Sequence, residues 1–170
     1  MSNKAHKIII TGATGCVGSA VVRRAMLCKS LGMRHNWVRI LNVYGPNDGE
    51  NTLISYVMRE LKAGRFPELT KCEQIWDYIF ADDAADAILA IAERGKDGKA
   101  YPLGSGKGRI LSEYVEDILT ILNPSVEIKY GAKDYYPHQP MHLVADIKDL
   151  TKDTGWKPVW EFNKGLERIN

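Results

Sequence analysis

Apolar positions follow two different periodicities along the chain, and the two alternate. Short apolar runs rich in β-branched and aromatic residues predict strands at 7–11, 37–43, 74–80, 101–103 and 126–130. Apolar residues at steps of three and four predict helices at 16–31, 52–63, 83–94, 112–122 and 147–154. Because strand and helix alternate, the sequence predicts an α/β fold with a mostly parallel sheet.

Glycine and acidic residues mark the ends of several of these helices. Gly32, Gly64 and Gly95 follow helical patterns and are natural stop signals. Asp82 and Asp83 lie at the start of the third helix, where we expect them to cap its N-terminus and to stabilise it by about 1 kcal/mol. A pair of catalytic carboxylates is the alternative interpretation of these two residues.

Length and composition restrict the class of protein. The 170 residues, 45% of them hydrophobic, are enough for one compact unit but not for two domains of ordinary size. The net charge is +2 and no long block of one sign occurs, so neither nucleic acid nor a membrane surface is an expected partner. The N-terminal apolar run Ile8–Ile10 is too short for a signal peptide or a membrane span, and a cytoplasmic protein is expected.

Three cysteines, Cys16, Cys28 and Cys72, are widely spaced along the sequence. An odd count without paired spacing predicts no disulfide framework and fits a reducing compartment. The sequence has neither a Cys-x-x-Cys pair nor a cluster of histidine with cysteine, so no metal site is predicted.

The segment TGATGCVGS, residues 11–19, places glycines at three-residue steps between a predicted strand and a predicted helix. Gly12 lets the chain turn off the strand, Gly15 removes a side chain where a pyrophosphate would approach, and Gly18 allows close helix packing. The helix N-terminus then offers free N–H groups to an anion, so the context predicts a dinucleotide site. A tight turn that binds nothing is the alternative. The residues assigned to the dinucleotide are Gly12, Thr14, Gly15, Cys16, Val17 and Gly18.

The acidic residue that usually follows such a loop is missing. A dinucleotide site normally has Asp or Glu about 20 residues further on, where it holds the adenosine ribose. The corresponding segment LGMRHNWVRIL, residues 31–41, contains neither. The part of the chain that would distinguish NAD from NADP is therefore absent, and both dinucleotides stay open at this point.

Five segments, in this order, resemble the extended short-chain dehydrogenases/reductases, the NAD-dependent epimerase/dehydratase family that modifies nucleotide sugars. They are TGATGCVGS (11–19), WVRILNVYGPND (37–48), WDYIFADDAADAILA (76–90), AYPLGSG (100–106) and ADIKDLTKDTGWKP (145–158). The resemblance implies a Rossmann-like fold, NAD as the cofactor and a nucleotide sugar as the ligand.

A large internal part of such an enzyme is missing after the glycine loop. Residues 15–26 resemble the first helix of the family, and residues 27–36 resemble the end of its catalytic helix. The resemblance implies a catalytic Tyr-x-x-x-Lys pair on that second helix, but none of the eight tyrosines has a lysine four residues later. We therefore predict an internal deletion near 25–28 and assign no catalytic residue.

The resemblance also identifies residues on the substrate side. Those that match the family's contacts to the nucleotide and its phosphates are Asn42, Asn51, Thr52 and Leu53. Two positions where the family often has a phosphate-binding arginine are Trp76 and Tyr136 in this chain. A diphosphate favours planar, bidentate donors such as arginine. The lack of arginine at these two positions therefore changes which groups could hold the diphosphate of the substrate.

With whole β-α units removed, a shortened Rossmann-like sheet is expected, beside the family's small C-terminal substrate-side region. The strand at 7–11 would pair with that at 37–43, and that one with 100–103, giving about three parallel strands. A sheet shortened in this way exposes an edge, through which a homodimer is expected. Within the single unit 1–170, the Rossmann-like remnant is 1–43 and 99–104, and the cap region is 44–98 and 105–170.

Three functions are compatible with these observations. The first is a truncated member of the family that has no turnover on its own but retains weak affinity for a dinucleotide or a nucleotide sugar. The second is an active NAD-dependent nucleotide-sugar epimerase or dehydratase. The third is a folding or assembly element that binds no ligand. The missing Tyr-x-x-x-Lys pair favours the first function over the second.

Overall fold

The computed structural model describes residues 8–10, 30, 32, 34–122, 125, 126 and 128–170, the first three by their backbone alone. The strands in this part of the chain are β1 (Ile8–Ile10), β2 (His35–Ile40), β3 (Asn42–Tyr44), β4 (Ile75–Trp76), β5 (Tyr78–Phe80), β6 (Ala100–Leu103), β7 (Arg109–Ile110) and β8 (His142–Leu143). The helices are α1 (Leu53–Lys62), α2 (Ala81–Arg94), α3 (Leu111–Leu122), α4 (Lys148–Thr154) and α5 (Phe162–Ile169).

The first sheet is three-stranded and parallel, with the order β1-β2-β6. Trp37 in β2 lies opposite Ile10 on one side and opposite Ala100 on the other. The sequence predicted this direct pairing of the first strand with the segment near 37 and of that segment with the one near 100. The predicted shortened, parallel α/β sheet is therefore confirmed.

The predicted strand 37–43 is two strands in two sheets, so that prediction was wrong in its extent. β2 ends at Ile40, and after the single residue Leu41 the chain enters β3, which pairs in parallel with β5. Leu41 still donates its backbone N–H to Leu103 O (3.0 Å), the last ladder bond of the first sheet. One extended segment therefore serves both sheets.

The predicted strand 74–80 is also divided. β4 lies between β7, its antiparallel partner, and β8, its parallel partner, while β5 belongs with β3. The break falls at Asp77, a residue with no exposed surface. Because a two-residue strand carries almost no periodicity, β7 and β8 gave no sequence signal.

The four helices predicted beyond residue 50 are found within one or two residues of their expected ends. In α1, the buried residues Ile54, Val57, Met58 and Leu61 recur at steps of three and four, which is the pattern that predicted the helix. Helix α5 was not predicted, although Phe162, Leu166 and Ile169 recur at steps of four and three and pack in the first core described below.

Residues 126–130 were predicted as a strand, and no strand is present at the described positions of this segment. The alternating Val126, Ile128 and Tyr130 instead pack against the apolar core between α1 and α3. Their alternation therefore reflects one buried face of an irregular segment rather than a place in a sheet ladder.

Two apolar cores hold the elements together. One joins α1, α3 and α5 to β3 and β5 through an aromatic group in which the Tyr44 ring lies 5.4 Å from Phe80 and 4.8 Å from Phe162. Gly165 makes this packing possible, because a side chain there would overlap the Tyr44 hydroxyl. The other core packs α2 and α4 on the first sheet and contains the fully buried Tyr101.

Asp83 does not cap α2, contrary to expectation. The helix begins at Ala81, and Asp83 is a buried residue within its first turn. The Asp83 carboxylate accepts backbone N–H bonds from Val159 (3.1 Å) and Trp160 (2.9 Å). It therefore fastens the C-terminal segment to α2.

No described helix has the length and apolar character needed to cross a membrane.

Candidate functional site

The four residues assigned to the substrate lie around one cavity of about 740 Å³. They are Asn42, Asn51, Thr52 and Leu53. The cavity is bounded by the first turns of α1, by the segment that carries β4 and β5, and by residues of the 133–139 loop. Although these four residues come from a strand, a loop and a helix, the structure brings them into one wall.

Asn42 is positioned by the change of sheets. It is the first residue of β3 and lies opposite Tyr78 in β5. Its side-chain amide Nδ2 donates to Asp77 O at 3.1 Å, and this bond holds the carboxamide in a fixed orientation against the cavity. Since β3 is tied to the first sheet through Leu41, both sheets determine where Asn42 lies.

The N-terminus of α1 opens beside the cavity without a side-chain cap. Thr52 is the residue before the helix, but its hydroxyl donates to Asp48 Oδ2 (2.8 Å) or Gly49 O (3.0 Å) rather than accepting a helix N–H bond. The first turn contains no acidic residue. The free N–H groups of this turn and the positive end of the helix dipole therefore favour an anion at this end.

Two cations that the sequence analysis missed line the same cavity. The Arg59 guanidinium lies 5.4 Å and the Lys133 ammonium 5.2 Å from the centre of the Tyr56 ring. Lys133 Nζ is also 3.8 Å from a Glu68 carboxylate oxygen, and both side chains of this pair are exposed. Arg59 follows Thr52 by seven residues, so helical periodicity could have predicted that both lie on the same face of α1. No pattern in the sequence around Lys133 could have predicted its place at the cavity.

Trp76 and Tyr136, at the two positions where arginine was expected by resemblance, both line the cavity. The Trp76 indole Nε1 donates to Pro140 O at 3.0 Å, which fixes the ring against the loop. Tyr136 is 80% exposed and lies at the mouth. The wall thus has aromatic rings at these positions, and its described cations come from Arg59 and Lys133.

Asp77 organises the segment behind the cavity. One oxygen of its carboxylate accepts from Ser105 N (2.7 Å) and Ser105 Oγ (2.6 Å), and the other from Gly106 N (2.8 Å) and Ala145 N (3.1 Å). Gly104 permits this approach, because a Cβ there would lie 2.5 Å from Asp77 Oδ2. The loop GSGKGR, residues 104–109, therefore folds around a buried carboxylate. Its first glycine, Gly104, has a structural role because it leaves room for that carboxylate.

Cys72 and Gln74 form a buried part of the cavity wall. Cys72 has a φ of +54°, a conformation that costs energy in a residue with a side chain, and burial raises the pKa of its thiol. Gln74 is 3% exposed. Among the described residues, no group donates a hydrogen bond to its side-chain oxygen Oε1.

Comparison with known proteins identifies the family. The sequence model described as the NAD dependent epimerase/dehydratase family matches residues 25–104. This segment includes β2, β3, β5 and Asn42. Over this segment the chain matches the family.

Individual relatives agree with that assignment. CDP-abequose synthase of Salmonella typhimurium (strain LT2) is 36% identical over 138 residues, which cover 78% of this chain and 46% of the relative. The fold is similar to UDP-N-acetylglucosamine 4-epimerase of Methanobrevibacter ruminantium M1, solved with UDP-N-acetylmuramic acid, at a TM-score of 0.82 and 22% identity. It is also similar to UDP-glucose 4-epimerase of Thermotoga maritima, solved with UDP-glucose, at a TM-score of 0.79 and 21% identity.

The chain is short for this epimerase/dehydratase family. It spans about half the length of the curated relatives that it matches. The two structural neighbours cover 96% of this chain, but this chain covers only 61% and 62% of theirs. The chain therefore shares the fold of these two structures and spans only part of their length.

The predicted dinucleotide residues lie outside the described part of the chain. They are Gly12, Thr14, Gly15, Cys16, Val17 and Gly18. Only the backbone of the preceding strand β1 is described, as the neighbour of β2 in the first sheet. Their assignment to NAD stays a prediction.

Proposed function

We propose that this chain binds a pyrimidine nucleotide sugar in the cavity beside α1 and does not turn it over on its own. The observation that carries the proposal is the meeting of Asn42, Asn51, Thr52 and Leu53 around one cavity of about 740 Å³. A volume of this order is typical of small-molecule sites. The names of the relatives and neighbours, which contain CDP and UDP, support the pyrimidine nucleotide.

The charges around the cavity favour a diphosphate. The uncapped N-terminus of α1 favours negative charge, and Arg59 and Lys133 supply two cations on the same wall. The aromatic rings of Tyr56 and Trp76 offer apolar surface to a base or a sugar. One cavity therefore offers surfaces suited to an anionic group, a planar ring and a polar sugar.

The cavity favours binding without turnover. A general acid or base works best when its pKa lies near the operating pH. Burial instead raises the pKa of Tyr78, a tyrosine of the cavity wall, well above its ordinary value. Lys133 lies over the ring of Tyr56, whose hydroxyl accepts the backbone N–H of Glu68 at 3.0 Å. The raised pKa of Tyr78 argues against this hydroxyl as the base for hydride chemistry on a sugar.

Calorimetric titration with UDP-glucose and with CDP-glucose tests the binding. We expect saturable binding, and we expect Lys133→Ala to weaken it about fivefold through loss of one cation, with a smaller loss at high salt. Lys129→Ala removes an exposed lysine that does not line the cavity and should leave the affinity unchanged. The absence of any heat at millimolar ligand would favour a folding or assembly element instead.

A separate measurement addresses turnover. We expect no change in NADH fluorescence and no altered sugar when the chain is incubated with NAD and UDP-glucose or CDP-glucose, because none of its tyrosines has a lysine four residues later. Epimerised or dehydrated sugar in the product mixture, absent from a heat-treated sample, would establish the active enzyme as the correct alternative.

We further propose that the chain pairs with a second copy through the edge of the first sheet. Within the described residues, β1 and β6 are the outer strands of that sheet, and a strand edge is a template for pairing. Light scattering should then give the mass of two chains. A monomeric mass across a range of concentrations would contradict this arrangement.

A further inference from the structure

We propose that Tyr136 and Gln139 form the subsite for the hexose of the nucleotide sugar. The inference rests on the proposed function, because it assigns a role at the mouth of the proposed nucleotide cavity. Both side chains line that cavity, and both belong to the 133–139 loop. Tyr136 stacks on one face of the hexose ring, and Gln139 bonds one of its hydroxyl groups.

A tight turn holds the two side chains next to each other. Gln139 donates its backbone N–H to Tyr136 O at 3.0 Å, so these residues are the last and the first of a β-turn. Pro137 occupies the second position, and His138 has a φ of +62° at the third. Proline followed by a positive φ is the pattern of a type II turn, which keeps the Cα atoms of its outer residues within about 7 Å of each other.

The turn is strained at its third residue. The left-handed conformation at this position of a type II turn favours glycine, and His138 carries a side chain. Strained residues of this kind persist where the surrounding contacts hold them, and they cluster at active sites and ligand-binding segments. The strain at His138 is therefore in keeping with a binding role for this turn.

Contacts on both sides hold the turn in place. Before it, the Tyr135 hydroxyl accepts the backbone N–H of Glu73 at 3.2 Å and donates to the carboxylate of the same residue at 3.2 Å. After it, Pro140 O accepts a hydrogen bond from the Trp76 indole at 3.0 Å. Tyr136, between these two contacts, is nevertheless 80% exposed. The backbone of the turn is therefore fixed, while the Tyr136 ring stays accessible to a ligand.

The chemistry of the two side chains suits a sugar ring. One face of a hexose carries C–H groups, which pack on an aromatic ring, and its rim carries hydroxyl groups, which require hydrogen-bond partners. Tyr136 supplies the aromatic ring, and the carboxamide of Gln139 supplies both a donor and an acceptor. Neither side chain is charged, as suits a neutral ring rather than a phosphate.

The polarity of the cavity favours the hexose, rather than the base, at the mouth. The buried part of the wall includes Leu69, Cys72 and Leu111, each at most 3% exposed. A planar base has two apolar faces that gain from such surroundings, whereas the many hydroxyl groups of a hexose would lose their hydrogen bonds there. At the mouth, water remains available to the hydroxyl groups that Gln139 does not reach.

Comparison of UDP-glucose with UDP tests the subsite, because UDP has the same base and phosphates but lacks the hexose. In calorimetric titration, we expect Tyr136→Ala and Gln139→Ala each to weaken UDP-glucose binding about fivefold and to leave UDP binding unchanged. Tyr136→Phe keeps the ring and should retain the affinity for both ligands. Phe66→Ala is the matched control, because Phe66 is 59% exposed and lies outside the residues that line the cavity.

Arginine at position 136 separates a sugar subsite from a phosphate subsite. The family resemblance places a phosphate-binding arginine there, so Tyr136→Arg would tighten UDP binding if this position faced the diphosphate, and high salt would remove the gain. We expect less than about a twofold change in UDP affinity at physiological salt, since the position faces the hexose.

The outcomes distinguish this inference from the proposed function. Equal losses of UDP and UDP-glucose affinity in Tyr136→Ala would overturn the hexose subsite, while the nucleotide cavity stands. Unchanged binding of UDP-glucose in Tyr136→Ala, or a salt-dependent gain in UDP affinity in Tyr136→Arg, would overturn it as well. If neither UDP nor UDP-glucose binds the unmodified chain, the proposed function fails and the hexose subsite fails with it.

Discussion

Asp77→Ala is expected to lower the free energy of unfolding by about 3 kcal/mol or more. The carboxylate is completely buried and accepts four hydrogen bonds, from Ser105, Gly106 and Ala145. Its removal leaves three backbone N–H groups and one hydroxyl without their partner and also opens a void. Since Ser105 and Ala145 lie in different segments, the loss separates two parts of the chain from β4 and β5.

Urea unfolding followed by circular dichroism measures this effect. Asp86→Ala is the matched control, because Asp86 is exposed in the middle of α2 and its removal should change the free energy by less than about 0.5 kcal/mol. Asp77→Asn should fall between the two, since an amide nitrogen cannot accept from the N–H groups that face it. A loss below about 1 kcal/mol for Asp77→Ala would show that these bonds contribute little net stability.

Gly15→Asp is expected to reduce NAD affinity at least 100-fold, by both crowding and charge. If the loop at 12–18 binds a pyrophosphate, Gly15 is where the backbone approaches it most closely. An aspartate there places a carboxylate against two phosphates, and like charges at about 4 Å repel strongly in a partly buried site. Calorimetric titration of the unmodified chain and the variant with NAD gives the comparison.

Gly15→Ala separates the two contributions. It adds a methyl group without charge, so we expect its NAD affinity to lie between those of the unmodified chain and of Gly15→Asp. Circular dichroism spectra of all three chains establish that the fold is retained. If the unmodified chain gives no heat with millimolar NAD, the loop does not serve as a dinucleotide site in this protein.

The elements that could be predicted are those whose signal is local. The strands of the first sheet are short apolar runs, and α1 and α2 carry an apolar stripe at helical spacing. The pairing of β1 with β2 was predictable because the resemblance implied that the strands which separate them in the family are absent from this chain. Asn42 and the Asn51–Leu53 segment could be named because they lie within segments that resemble the family.

The features that escaped prediction depend on contacts between distant segments. Nothing near Lys133 indicates that its ammonium group lies over Tyr56, 77 positions earlier in the sequence. Aspartate commonly caps helices, but the Asp83 carboxylate instead accepts a hydrogen bond from a segment 76 residues later in the sequence. The unpaired oxygen of Gln74 is a property of packing, which a single sequence does not reveal.

The one-residue link at Leu41 has a consequence for the thermodynamics of binding. A connection of this length leaves no flexible joint between β2 and β3, and β5 likewise runs directly into α2. The side of the cavity formed by β3 and β5, which carries Asn42, is therefore rigid in the absence of ligand. Little conformational entropy is lost there on binding. The entropic cost falls instead on the irregular segments that complete the cavity, at 65–74 and 130–141. Affinity in this protein should respond more to stiffening of those two segments than to any change in its sheets.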